Sequence, residues 1–185
     1  MDFKKVFKEG CFSLDLKSNT KEGIIEEMVD LMVKAGKIKD RKTAIDAVLE
    51  REKKMSTGMQ YGVAVPHGKI STVDNLVVAF GLKREGVDFD SLDHQPSQIF
   101  IMTISSTLRT GPHIEYLCQI SKLMNSEMIR KRLLEAKSVA EIVEILTERS
   151  TPEVRDQNGR GMAGRVIPNA SGSTGCVIPS AGVSG

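Results

Sequence analysis

The stretch Tyr61-Gly62-Val63-Ala64-Val65-Pro66-His67-Gly68-Lys69 combines a short apolar strand with a single imidazole, and the rest of the chain is organised around it. Its valines are β-branched and favour a pleated, half-buried surface. Pro66 has no N–H for a sheet ladder, so we expect strand pairing to end there. Gly68 then allows the backbone to turn away. The stretch predicts that His67 lies at the tip of a strand, exposed on one side and braced on the other.

A histidine at such a position is suited to nucleophilic chemistry. The unperturbed pKa of its side chain is about 6.5, so near neutral pH most of the imidazole is uncharged and has a free lone pair. The alternative is a histidine that merely ends a strand in a surface turn. The nine residues alone leave both interpretations open.

Composition narrows the class of protein. The 185 residues suggest one domain, or one domain with an appendage. A net charge of +2, from 26 basic and 24 acidic residues, argues against strong attraction to nucleic acid or anionic lipid. Cys11, Cys118 and Cys176 match no zinc or redox spacing, which fits free thiols in a reducing compartment. Because there is no signal-peptide pattern and no run of ~20 apolar residues, a cytoplasmic location is expected.

Apolar periodicity predicts alternating helices and strands. Asn19 or Thr20 is expected to cap a first helix that Gly36 closes, and Asp40 to begin a second. Arg84-Glu85-Gly86 is interpreted as a tight turn after the strongest apolar strand, Leu76 to Leu82, with Val87 to Phe89 returning as a short partner. The predicted strands lie near residues 10–16, 63–65, 76–82, 87–89 and 98–104.

From Pro112 the pattern is helical as far as Glu148. The first of these helices is expected to bury one stripe, and Ser138 is expected to cap the last. Helices at both chain ends would cover both faces of a small sheet, so the predicted fold is a single-domain α/β (α+β) sandwich. The expected stripe consists of Ile114, Leu117, Cys118 and Met124.

The composition changes after Glu148. Residues 151–185 contain seven of the 16 glycines and three of the six prolines, but no leucine and no aromatic residue. Such a segment cannot bury enough apolar surface to offset its ordering entropy. We expect a domain at residues 1–150 and a Gly/Pro/Ser-rich tail at 151–185, disordered, loosely attached, or foreign to the natural domain.

Three further side chains are candidates for chemistry. His113 follows Pro112 at a predicted helix start, where free N–H groups favour an anion, although an ordinary polar residue is the alternative. Arg51 ends the second helix, and its guanidinium can hold phosphate oxygens, although a solvated helix-end cation is the alternative. His94 is expected to be a turn residue. The three histidines match no metal motif and the chain has no nucleotide-binding signature, so no metal or cofactor is expected.

The residues from Gly62 to Lys69 resemble the active-site signature of enzyme IIA domains of the fructose/mannitol type. These domains belong to the phosphoenolpyruvate-dependent sugar phosphotransferase system (PTS), and nitrogen-regulatory IIA proteins share their fold. The resemblance extends over about residues 1–148. The other matching segments are Ala47–Glu52, Ser56–Gly58, Gly86–Asp90, Leu92-Asp93 and the helix that His113 begins.

This resemblance implies a small mixed β-sheet between helices and a phosphoryl relay. It implies that His67 takes a phosphoryl group from the histidine phosphocarrier protein and passes it to a cysteine of a IIB domain for sugar uptake. His113 would stabilise the phosphorylated state, and Arg51 would lie beside the site. The membrane would be involved only indirectly, through the IIC transporter. A regulatory module of the nitrogen-related type, in which phosphorylation controls protein binding, is the alternative.

Two segments depart from the family pattern. Asp93-His94-Gln95-Pro96 stands where the family usually has Asp-Gly-x-Pro, and we expect a changed turn there. Residues 105–112 replace a segment in which family members often have small residues and a proline. Because this segment should border the site, the partner and the sugar stay open.

Overall fold

A computed structural model describes residues 3–8, 10–108 and 111–148 of the chain. The predicted tail at residues 151–185 and Arg109 of the loop before the fourth helix lie outside the described residues. The domain boundary near residue 150 therefore stays a prediction. In the described ranges no helix is both long and apolar enough to cross a membrane.

Six helices form in the described part of the chain, and local capping signals account for several of their starts. The Thr20 side chain accepts a hydrogen bond from Gly23 N at 3.1 Å, and Asp40 accepts one from Thr43 N at 3.0 Å. Ser138 caps the last helix in the same way. The helices are α1 (Phe3–Lys8), α2 (Lys21–Lys34), α3 (Arg41–Lys54), α4 (Gly111–Met124), α5 (Glu127–Glu135) and α6 (Val139–Glu148).

Five strands form one mixed sheet. Strand β5 is its centre, because it pairs antiparallel with β4 on one side and parallel with both β2 and β3 on the other. Strand β1 pairs parallel with the outer side of β4. The sheet confirms the predicted fold class. Its strands are β1 (Cys11–Ser13), β2 (Val63–Ala64), β3 (His67–Ile70), β4 (Val77–Val87) and β5 (Ser97–Ser106).

The two faces of the sheet are covered by different helices. Helices α2 and α3 pack on one face and share its core with Phe100, Met102 and Ile104 of β5. Residues of α1, α4, α5 and α6 pack on the other face, with Ile99 and Ile101 of β5. Almost every residue of β5 is buried, as expected of a strand covered on both faces. The sandwich is therefore three layers deep at β5.

The prediction that the strand ends at Pro66 was wrong, because Pro66 only interrupts the edge of the sheet. Strand β2 before it and strand β3 after it both pair with β5, and His67 lies opposite Thr103. Pro66 lacks an N–H, but its carbonyl accepts a hydrogen bond from Thr103 N at 3.0 Å, so the ladder continues past it. His67 thus begins a strand instead of ending one, and it is half-buried.

The predicted tight turn at residues 84–86 was also wrong. Strand β4 runs through this segment and pairs with β5 as far as Val87, which lies opposite Ser97. The register shifts between Leu82 and Val87, and Gly86 has φ +77°. A left-handed glycine beside a register shift is typical of a β-bulge, which produces the same local glycine signal as a turn.

The buried stripe of α4 lies one position away from the predicted one. Its inward residues are His113, Tyr116, Ile120 and Met124, whereas Ile114 is 54% exposed. Apolar residues occur on both sides of this helix, so periodicity alone supports either alignment. Of the expected stripe, only Met124 is fully buried. The consequence is that His113 faces inward.

Candidate active site

His67 is held by a backbone contact at one ring nitrogen, which puts the lone pair on the other. Its Nδ1 lies 2.9 Å from the carbonyl oxygen of Val65. Because a carbonyl only accepts hydrogen bonds, Nδ1 carries the ring proton. The lone pair of neutral His67 is therefore on Nε2, the nitrogen that can act as a nucleophile.

Arg51 approaches that nucleophilic atom directly. Its Nε donates a hydrogen bond to His67 Nε2 at 3.1 Å, and its Nη1 donates to the Met55 carbonyl at 2.9 Å. The first contact confirms that the last turn of α3 and the start of β3 are adjacent. A guanidinium that donates to this lone pair also offers planar N–H donors to an anion that binds there.

The surroundings of His67 favour its neutral form. Burial of the ring lowers the pKa of His67 below its usual value of 6.5, and the nearby charges of Arg51 and Lys69 lower the pKa further. The hydrogen bond to Val65 and the charge of Glu52 act in the opposite direction. Neutral imidazole has the lone pair that nucleophilic attack needs, so this environment suits attack near pH 7.

His113 lies in the first turn of α4 and stacks obliquely on His67. The two ring centroids are 5.4 Å apart, with an angle of 51° between the planes. His113 is only 3% exposed. Burial, and to a smaller extent the neighbouring His67 and Lys69, lowers the pKa of His113 to about 4. The second imidazole is thus neutral at pH 7, and can donate or accept one hydrogen bond through each nitrogen.

Gly68 brings α3 close enough for Arg51 to reach His67. A Cβ at Gly68 would lie 3.0 Å from Val48 Cγ2 and 3.1 Å from Val48 N, in contact with the backbone of α3. The expectation that Gly68 turns the chain was wrong, since this residue is an extended member of β3. Its small size serves the packing of the helix against the strand.

Glu52, which follows Arg51, is a buried carboxylate that the sequence analysis did not single out. Its oxygens accept hydrogen bonds from Thr57 N at 3.0 and 3.1 Å and from the Thr57 hydroxyl, and Lys21 Nζ forms an ion pair with it at 2.9 Å. These contacts hold the loop whose Met55 carbonyl binds Arg51. A Glu immediately after Arg51, five residues before a Thr, was the only signal in the sequence, and surface helices often carry such residues.

His94 occupies a turn, as its sequence context predicts. Its N–H donates to the Ser91 carbonyl at 2.9 Å, and its φ is +57°, in the left-handed region where glycine is favoured. Asp93 accepts hydrogen bonds from Tyr61 N and Gln95 N, which stabilises this turn. His94 has no described contact with His67. Across residues 3–8, 10–108 and 111–148, no cluster of three or more His, Cys, Asp or Glu side chains could hold a metal ion.

Residues 5–149 match the family model described as "Phosphoenolpyruvate-dependent sugar phosphotransferase system, EIIA 2". The match covers well over half of the chain, and the mixed sheet and the histidine-centred site agree with it. The chain therefore belongs to this EIIA family of the sugar phosphotransferase system. This membership confirms the resemblance that the residues around His67 indicated.

Two relatives carry the word fructose in their names. The chain is 38% identical over 136 residues to the "PTS system fructose-specific EIIA component" of Haloferax volcanii, covering 74% of this chain and 88% of that protein. It is 38% identical over 148 residues to the "PTS system fructose-specific EIIABC component" of Bacillus subtilis, covering 80% of this chain. The chain spans only 23% of the length of that second relative.

Solved structures share the fold. The nitrogen regulatory protein IIA-Ntr of Neisseria meningitidis superposes with a TM-score of 0.72 at 28% identity, covering 78% of this chain and 98% of that one. Enzyme IIA for mannitol from Escherichia coli, solved in complex with phosphorylated enzyme IIB, superposes with a TM-score of 0.62 at 27% identity. That match covers 75% of this chain and 94% of the other.

Proposed function

We propose that this chain is a phosphocarrier for sugar uptake that carries a phosphoryl group on His67 Nε2. The donor is the histidine phosphocarrier protein, and the acceptor is a cysteine of a IIB domain. The observation that carries the proposal is the state of His67: Nδ1 donates to the Val65 carbonyl, so the lone pair is on Nε2, where it accepts a hydrogen bond from Arg51. Membership of the EIIA family and the likeness to a mannitol IIA solved with its IIB support it.

The first step uses the lone pair of His67 Nε2. This nitrogen attacks the phosphorus of the donor's phosphohistidine; the donor's P–N bond breaks, and its electron pair stays on the donor ring. His67 then carries the phosphoryl group on Nε2 and a proton on Nδ1, so its ring becomes electron-poor. The Val65 carbonyl, 2.9 Å from Nδ1, stabilises that ring through its hydrogen bond.

Arg51 and His113 surround the position that the phosphoryl group takes. The guanidinium, which donates to Nε2 in the unphosphorylated protein, turns its N–H groups to the phosphoryl oxygens. His113 lies over the ring and donates one N–H, while the first turn of α4 adds the positive end of its dipole. Such positioning and charge stabilisation is most of what phosphoryl transfer requires of a protein.

The second step reverses the first on a different acceptor. A cysteine thiolate of the IIB domain attacks phosphorus, the P–N bond to His67 breaks, and the electron pair returns to Nε2. Exposed apolar side chains close to the site offer a surface for protein partners. Met55, whose carbonyl binds Arg51, is 65% exposed, and Ile114, next to His113, is 54% exposed.

Labelling tests the proposal. The protein is incubated with phosphoenolpyruvate, enzyme I and the histidine phosphocarrier protein, and acid-labile, alkali-stable phosphate is measured. We expect stoichiometric labelling that His67→Ala abolishes. His94→Asn is the matched control, because asparagine tolerates the left-handed φ of that turn and the variant should be labelled like the wild type. Labelling of His67→Ala would refute the proposed site.

A regulatory role is the second candidate, and the superposition on a nitrogen regulatory protein with a TM-score of 0.72 favours it. Addition of IIB domains to the labelled protein separates the two candidates. Transfer of phosphate to a IIB cysteine supports the carrier role. Retention of phosphate on His67 with every fructose- and mannitol-type IIB tested supports regulation, in which the phosphorylation state controls protein binding.

A further inference from the structure

Buried polar atoms of His113, Thr103 and Ser105 lie on the face of the sheet that α4 covers. Within the described residues, no partner is found for His113 Nδ1, Thr103 Oγ1 and Ser105 Oγ, each of which is shielded from solvent. Leaving such groups unpaired costs stability, and buried polar side chains in folded proteins are nearly always paired. The lack of partners for these three atoms on the same side of the sheet therefore needs a physical explanation.

The sheet places both hydroxyls on the face that His113 covers. Thr103 lies opposite His67 in the parallel ladder, and Ser105 lies opposite Lys69. Residues two apart along a strand point to the same face, and Ile99 and Ile101 of β5 belong to the core on the α4 side. Thr103 and Ser105 continue that row towards the end of β5. The His113 ring lies 5.4 Å from the ring of His67, the lateral neighbour of Thr103.

On this face of β5, the side chains change from apolar to polar only near the site, at Thr103 and Ser105. On its other side Thr103 lies opposite Val78 of β4, which is buried in the same apolar core. A valine at position 103 and an alanine at position 105 would fill similar space without unpaired atoms. Two hydroxyls stand instead on the face that His113 covers, and no partner is found for His113 Nδ1 within the described residues either.

We propose that Thr103 and Ser105 are positioning residues that set the tautomer of His113 by donating a hydrogen bond to its Nδ1. A neutral imidazole has one donor and one acceptor nitrogen, and the partner of one nitrogen determines the role of the other. With a hydroxyl donating to Nδ1, the proton resides on Nε2. Rotation about χ1 moves a Ser or Thr hydroxyl between staggered positions and can close this contact.

The consequence for phosphoryl transfer rests on the proposed function of His67. His113 would present Nε2–H to a phosphoryl oxygen, with its orientation and proton already set before the phosphoryl group arrives. Preorganised donors of this kind need no rearrangement at the moment of reaction. A hydroxyl carries no charge, so it sets the tautomer without adding a second cation or anion to the buried site.

The test is the tautomer of His113 in the complete, unphosphorylated protein labelled with ¹⁵N-histidine. Long-range ¹H–¹⁵N correlation spectra show which ring nitrogen carries the proton. We expect Nε2–H in the wild type and a shift towards the Nδ1–H form in the Thr103→Val/Ser105→Ala double variant. Thr103→Ser retains its hydroxyl and should keep the wild-type spectrum, and the single variants replace the double variant if that protein does not fold.

Ser106→Ala is the matched control. Ser106 is also buried near the end of β5, but it points to the opposite face, and its hydroxyl accepts a hydrogen bond from Leu108 N. Its loss should leave the His113 spectrum unchanged. An identical His113 tautomer in the wild type and the double variant, or an Nδ1–H form in the wild type, overturns the inference.

Phosphorylation provides a second, separable readout. We expect phosphoryl transfer to His67 to slow about tenfold in the double variant, and not in Ser106→Ala, which corresponds to the loss of one oriented donor. A tautomer shift without slower transfer overturns the catalytic half of the inference. Failure to label wild-type His67 overturns the proposed function instead, and the tautomer measurement still stands by itself.

Discussion

Two buried polar clusters flank His67, one on each side of the sheet. On the α3 side, the oxygens of Glu52 are paired with Lys21 Nζ and with the backbone and hydroxyl of Thr57. On the α4 side, Thr103, Ser105 and the Nδ1 of His113 are equally buried, but no partner is found for their polar atoms within the described ranges. Both clusters border the same imidazole, so burial alone does not explain the difference.

The contrast indicates different roles for the two clusters: the paired one supports the site, and the unpaired one serves phosphoryl transfer. A satisfied cluster holds a loop and the neighbouring Arg51 in one geometry, and its strength comes from contacts that already exist. An unsatisfied cluster lowers stability, and such groups persist where another requirement outweighs that cost. We therefore expect variants of the first cluster to affect mainly folding, and variants of the second to affect mainly phosphoryl transfer.

Loss of the paired carboxylate should have the largest effect on stability. Glu52→Ala leaves Lys21, whose side chain is largely buried, without its buried partner, and removes the acceptor of Thr57 N. We expect the free energy of unfolding in urea to fall by about 4 kcal/mol. Asp90→Asn is the control, because Asp90 pairs with the same Lys21 but is exposed. Its cost should be about 1 kcal/mol or less, and equal losses in the two variants would contradict the assigned role of Glu52.

The second-largest loss of stability should come from acid, which protonates His113 of the unsatisfied cluster. Unfolded His113 takes up a proton near pH 6.5, whereas folded His113 does so only near pH 4. Between these values the unfolded state binds more protons, so stability decreases as the pH falls from 6.5 to 4, by about 3 kcal/mol from this residue. Unfolding in urea at several pH values measures the slope. His113→Gln should have a smaller slope, with the part due to His67 remaining, and an unchanged slope would argue against a buried neutral His113.

A side chain at Gly68 should separate β3 from α3, the helix that carries Arg51 and Glu52. The new Cβ of Gly68→Ala would meet Val48 and the Ala47 carbonyl carbon at 3.0–3.2 Å, so α3 must move and carry Arg51 away from His67. We expect a loss of about 2 kcal/mol in stability and slower labelling of His67. Gly111→Ala, where a Cβ meets nothing within 4 Å, should be far less destabilising. Similar losses in thermal or urea unfolding would refute the close-packing argument.

Replacement of an orphaned hydroxyl should have the smallest effect on stability. Thr103→Val removes one of two hydroxyls that we propose can donate to His113 Nδ1, and it keeps the shape of the side chain. Ser105 can then take over the contact, so the free energy of unfolding in urea should change by no more than about 0.5 kcal/mol. Thr57→Val, which removes a hydroxyl that is bound to Glu52, should cost about 1 kcal/mol or more. A loss for Thr103→Val as large as that for Thr57→Val would show that Ser105 does not replace it.

The elements that could be predicted from the sequence are those whose cause is local. Thr20 and Asp40 cap helices through backbone groups three residues away, and the apolar run at residues 98–104 requires burial wherever it is placed. The family signature around His67 identified the family for a similar reason, because it lies within one short segment. Helix α1 was missed, since six residues form too short a pattern to distinguish from a loop.

The errors arose where the outcome depends on a distant part of the chain. Pro66 does not end the sheet, because β5 supplies an N–H for its carbonyl. Residues 84–86 continue β4 through a bulge, because Val87 has a partner in Ser97. The role of Glu52 was missed, because it depends on Lys21 of α2, which pairs with the buried carboxylate. In each case the deciding partner lies on another element of the fold, which the local pattern of apolar residues does not identify.

The sequence by itself determined the family, the alternation of helices and strands, and three side chains suited to phosphate chemistry. The tertiary structure alone decided which nitrogen of His67 carries the lone pair, since Nδ1 donates to the Val65 carbonyl and Nε2 accepts from the Arg51 guanidinium. It also decided that His113 faces inward, on the side of the sheet where Thr103 and Ser105 of β5 are buried. The protonation and the hydrogen bonds of these side chains depend on burial and on distances between segments. The order of residues along the chain gives neither directly.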